Sequence, residues 1–188
     1  MQGSIFTGVA MVALLALPLR ADEVTEALQA AMDAYAAGDL AGTSTAMTMA
    51  GQAIATQQSA LLQALLPAAP DGWTAEVSED FAAGFGMMGG GAAVEMRYAT
   101  ADVSFTITLI ADNPMVATMG AMLGNAQMMA LMGKVVKVGD QAILDSDNTL
   151  STLAGDRVLF TAQGAMTEEM MPVVSLIDFV KLGMFDAQ

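Results

Sequence analysis

A chain of 188 residues with twenty acidic and six basic side chains, no histidine and no cysteine is long enough to bury a real core, yet it lacks the usual catalytic groups. Its net charge of −14 disfavours nucleic acid and anionic membrane as partners, because phosphate binding relies on clustered cations. A Ser-His-Asp triad, a thiol nucleophile, a disulfide and an ordinary zinc site are all excluded, and no S-x-x-K is present, so the chain reads as no enzyme.

The first segment is an uncharged apolar run, IFTGVAMVALLALPL, followed by L-R-A and then D-E-V. It predicts an export signal at 1–21, cut after Ala21, and a periplasmic or secreted bacterial protein; an uncleaved anchor helix is the alternative. Losing Arg20 with that segment leaves five basic against twenty acidic residues, a net charge of −15.

From Asp22 the pattern is helical. Leu28, Ala31, Met32 and Tyr35 follow the i, i+3, i+4, i+7 rule and predict one buried stripe. Gly38 suits a left-handed helix end and Asp39 a cap, so a second helix is expected from about Ala41 to Leu66. Pro67 to Gly72 ends it, which divides the chain into a helical hairpin at 22–70 and a sheet domain at 71–188. The stretch AMDAYAAGDLAG, with its Tyr35, Gly38 and Asp39, resembles a single tetratricopeptide-like unit. One copy cannot form a solenoid, so the hairpin is expected to pack on the sheet domain.

Beyond Pro70 the period changes to two. Val94, Met96 and Tyr98 alternate with Glu95 and Arg97, and Val103, Phe105, Ile107 and Leu109 with Ser104, Thr106 and Thr108. KVVKV, QAILD, TLSTLA and RVLFTAQ come next, separated by Gly139-Asp140, Ser146-Asp147-Asn148 and Gly155-Asp156, which predicts an antiparallel meander. A crossover helix is expected over 113–133 and a closing helix from a Thr167 cap. The predicted fold class is α+β, an N-terminal helical hairpin followed by an antiparallel sheet covered by two further helices.

Several features invite a sharper reading. Gly84, Gly86 and Gly89 have the spacing G-x-G-x-x-G, but a dinucleotide site needs a helix opening on the glycines, and here a strand pattern comes after them; a glycine loop entering the sheet is expected. The uncharged run 113–133 has the length of a membrane span, but its Asn, Pro, Thr and Gln content favours a helix over the sheet, so no span is expected in the mature chain. Asp145 to Asn148 begins like a calcium loop but lacks the later glycine and glutamate. Of 18 methionines, Met115, Met119, Met122 and Met129 recur at helical spacing, beside Met128 and Met132. Core packing is the first reading of these, and a thioether site for Cu(I) formed by Met119, Met122, Met128, Met129 and Met132 is the alternative. Otherwise no cofactor or metal is implied. Whether Arg97, Lys134, Lys137 and Arg157 gather into one cationic spot is left open.

The motifs AYAAGD and LLPAAPDGW, together with the order of elements, resemble a family of exported proteobacterial proteins without an assigned activity. The resemblance implies compartment and architecture and carries no catalytic residues. A non-enzymatic periplasmic binding or envelope accessory protein is expected, its partner another envelope protein or a small ligand. A carboxylate-dependent enzyme is a further alternative.

Overall fold

A computed structural model describes residues 22–78, 81, 85 and 90–186. The segment 1–21, expected to be an export signal, and Gly84, Gly86 and Gly89 lie outside the described residues.

Helix α1 (Glu23–Ala36) starts where the Asp22 carboxylate accepts the Thr25 backbone N–H at 2.9 Å. Gly38, at φ +78°, turns the chain, and Asp39 accepts from the Gly42 N–H at 2.8 Å to open α2 (Leu40–Ala64). Both ends agree with the cap residues seen in the sequence. The predicted stripe of α1 does not: Ala31 is 7% exposed, but Met32 is 66% and Tyr35 69% exposed, and Leu28 is exposed too. The line facing α2 is instead Val24, Ala27, Ala31 and Ala34, set against Ala46, Ala50 and Ala53. Alanines let two helix backbones approach closely, which pushes the larger side chains out to the flanks of the pair.

Seven strands come after the hairpin, β1 (Thr74–Val77), β2 (Ala92–Ala99), β3 (Ser104–Ala111), β4 (Lys134–Val138), β5 (Gln141–Ser146), β6 (Thr149–Ala154) and β7 (Val158–Gln163). They form one antiparallel sheet in the order β1-β2-β3-β7-β6-β5-β4. Strand β1 has no counterpart among the sequence expectations. Each meander turn holds residues at positive φ: Gly139, Asp147 with Asn148, and Gly155 with Asp156. Asp147 and Asn148 thus form a two-residue hairpin turn of the primed kind and not the start of a calcium loop.

The two predicted cover helices are each broken in two. The crossover is α3 (Pro114–Leu123) and α4 (Ala126–Met132), separated at Gly124 because Asn125 caps the second helix by accepting from the N–H groups of Gln127 and Met128. The closing segment is α5 (Thr167–Val174) and α6 (Phe179–Gly183). Thr167 is the first helical residue and not the cap; Met166 holds that position, its N–H donated to the Glu169 carboxylate at 2.9 Å. Asp178 restarts the helix by accepting from the Lys181 N–H at 3.0 Å.

The alternation along the strands sorts side chains into two cores. Tyr98, Phe105, Ile107 and Phe160 lie under α5, α6 and the end of α2, whose Leu62 belongs to the same cluster, as does Leu66 just beyond the helix. Ala93, Ile110, Leu153 and Leu159 lie on the other face under Val116 and Leu123 of α3 and Met129 of α4. Burial raises the pKa of the Tyr98 phenol to about 12; its hydroxyl donates to the Pro67 carbonyl at 2.7 Å and fixes the chain leaving α2 to β2.

Candidate docking surfaces on the helical hairpin

The alanine seam leaves the α1–α2 pair with two different flanks. At 100° per residue, Glu23, Glu26 and Ala30 of α1 fall on the same side as Met49, Ala53 and Thr56 of α2, and these residues line a groove of about 440 Å³. Its floor is alanine and its α1 lip is carboxylate. Between Asp22 and Met96 the sequence contains no lysine or arginine, so nothing on the hairpin offsets the charge of Asp22, Glu23, Glu26, Asp33 and Asp39. The backbone N–H of Thr25 holds the Asp22 carboxyl below its ordinary range, which keeps that charge in place at the mouth of α1.

The opposite flank carries Leu28, Met32 and Tyr35 of α1 beside Leu40, Met47, Ile54 and Leu61 of α2, all exposed. Tyr35, Leu40 and Met47 surround a notch of about 560 Å³. Helix α2 has no charged residue over its 25 positions. The sequence signal for this flank is the seven-residue spacing from Leu40 to Leu61, which lies on α2 and not on the expected stripe of α1.

The other residues singled out in the sequence are dispersed. Met129 is buried in the core and Met119 packs against it, whereas Met122 is half-buried and Met128 and Met132 are exposed. The five thioethers therefore do not face one way, and those of Met119 and Met129 serve as packing. Among the described residues no group of three His, Cys, Asp or Glu side chains is placed to hold a metal ion. Residues 92–99 continue Gly90 and Gly91 directly as β2, antiparallel to β3, so no helix opens there for a phosphate. Gly91 sits at φ +92°, and a Cβ on it would lie 2.5 Å from the Ala111 carbonyl oxygen, which accounts for glycine at the entry to the sheet.

The four cations do not converge. Arg97 is on β2 and donates to Ser104 at 3.2 Å, while Lys134 and Lys137 lie on β4, the edge strand at the opposite end of the sheet. Arg157, expected on a strand, is in the β6–β7 turn. Its guanidinium binds the Asp112 carboxylate through Nε at 2.8 Å and Nη2 at 2.6 Å, binds Asp186 through Nη1 and Nη2, and lies 5.0 Å over the Phe185 ring. Gln58 of α2 donates to both carboxylates at 3.2 Å. The Arg157 hydrogen bonds hold the Asp186 carboxyl below its ordinary pKa and raise that of Arg157 itself. This is a clasp joining α2, the β3–α3 turn, the β6–β7 turn and the C-terminal end, in which one guanidinium is shared by two carboxylates.

No helix among the described residues is long and apolar enough to cross a membrane. Comparison with protein-family models, curated proteins and solved structures finds no match for this chain.

Proposed function

We propose that the protein is a non-enzymatic binding module of the bacterial envelope, exported by its N-terminal segment, which holds a basic helical segment of another envelope protein in the α1–α2 groove. The groove itself carries this reading: an alanine floor lets a third helix approach closely, and Glu23 and Glu26 on its lip form no ion pair among the described residues. Amphipathic helices dock in apolar grooves through residues at i, i+3, i+4 and i+7, and complementary charge sets their orientation and speeds encounter. The resemblance of AYAAGD and LLPAAPDGW to an exported family supports the compartment.

The test uses two defined peptides, one of leucine and lysine patterned as an amphipathic helix and one with glutamate for every lysine. The lysine peptide is expected to bind, more weakly as salt rises, with affinity at least about tenfold lower for Met49→Arg, which sets a cation at the exposed edge of the groove outside the alanine seam. Equal binding of both peptides, or binding indifferent to Met49→Arg, would overturn the reading.

A further inference from the structure

We infer that the uncharged flank of the hairpin pairs with the same flank of a second copy, α2 against α2, antiparallel about a two-fold axis beside Gly51. This surface is distinct from the acidic groove, so the inference stands whether or not the groove binds a basic helix.

Four observations carry it. Leu40, Met47, Ile54 and Leu61 recur every seven residues, the repeat that keeps an apolar line facing a partner helix, and they are 69%, 62%, 43% and 46% exposed. The line maps onto itself when reversed: a two-fold axis between positions 50 and 51 sets Leu40 against Leu61 of the partner subunit and Met47 against Ile54 of the partner subunit. At that axis stands Gly51, exposed, with no atom within 4 Å of where a Cβ would be, so two helix backbones can meet there closely. Finally, α2 itself has no charge to desolvate, Glu23 and Glu26 lie on the other flank, and Asp112 and Asp186, which reach Gln58 on this face, are already ion-paired to Arg157.

The same facts select a second copy over other occupants. An isologous contact requires a self-complementary patch, which this line provides, whereas helices that choose a different partner do so with flanking charges that α2 lacks. A helix lying on a membrane surface carries lysine and arginine on its polar face, and α1 and α2 have neither. Leu28, Met32 and Tyr35 extend the flank onto α1, so two hairpins would form a layer of four helices.

The test begins with sedimentation of the purified chain from Asp22 across about 1 to 100 µM, where a dimer is expected to form and Ile54→Glu to abolish it without loss of helicity. Because the chain has no cysteine, single cysteines give an independent readout that leaves the apolar line intact. Gly51→Cys is expected to form an intermolecular disulfide at least about tenfold faster than Thr56→Cys, which lies on the groove flank, because only the first brings two sulfurs within bonding reach. If Ile54→Glu fails to fold, the cysteine pair decides. A monomer at every concentration, a dimer unaffected in folded Ile54→Glu, or equal disulfide rates for the two cysteines would overturn the inference.

Discussion

The hairpin and the sheet solve the burial problem in opposite ways. In the sheet the largest apolar residues go inside: Tyr98, Phe105, Ile107 and Phe160 are buried between β2, β3 and β7 and the helices above them. In the hairpin the seam is alanine and the large residues are outside. Apolar area removed from water is the main favourable term in folding, so the sheet region holds the stability while the hairpin places its large side chains on its surface. The large side chains left outside are the surface that the proposed contacts would cover.

The contrast can be broken by mutation. Phe160→Ala removes a fully buried ring that packs edge-on to Phe179 at 5.2 Å, and it is expected to cost about 3–5 kcal/mol in denaturant unfolding. A loss near zero would mean that the sheet core is loose. Ala31→Leu overfills the seam and is expected to cost about 1–3 kcal/mol. Met32→Ser, one position along, should stay within about 0.5 kcal/mol of the parent. If the two substitutions exchanged their effects, the seam would be misplaced.

A pH-dependent effect concerns the clasp that joins the two regions. Asp186 has a lowered folded pKa, so its contribution is fully present above the ordinary carboxylate value of 3.8 and is lost as pH falls through the lower folded value. Stability should therefore fall below about pH 4, and Arg157→Ala should remove part of that acid-side loss. At neutral pH the same variant is expected to cost about 1 kcal/mol, since more than a third of the Arg157 side chain is open to solvent and screened. A melting curve for Arg157→Ala that keeps the parent's acid limb would show that Arg157 does not set the Asp186 carboxyl.

What could be read from the sequence was local. The Gly38-Asp39 turn, the Asp147-Asn148 turn and the alternation of β2 and β3 each depend on residues within a few positions of one another, and each is found where expected. The break between α3 and α4 also had a local cause, since Asn125 is a good cap, but the uncharged run around it concealed the stop. The inside of α1 departs from the expected stripe because the fit between the two helices favours small size over hydrophobicity. The Arg157 clasp left no local trace, because its partners lie 45 and 29 residues away in the chain. Strand β1 is four residues long and largely exposed, too short to show a period.

The strand order has a consequence for the timing of assembly. Strand β3 pairs on one side with β2, its neighbour in sequence, and on the other with β7, which is made last of all the strands. A chain emerging from its N-terminus thus builds β1 to β3 with an open edge at Ser104–Ala111, and α3 and α4 then carry the chain past that edge to begin β4 at the far side. The gap closes only when Val158–Gln163 arrives to bond β3 and β6 together. Until then the nascent protein exposes both a row of unpaired backbone groups and half of a greasy interior, the two ingredients of premature association. A molecule arranged in this way needs Val158–Gln163, in the last sixth of its sequence, before the open side of β3 is covered.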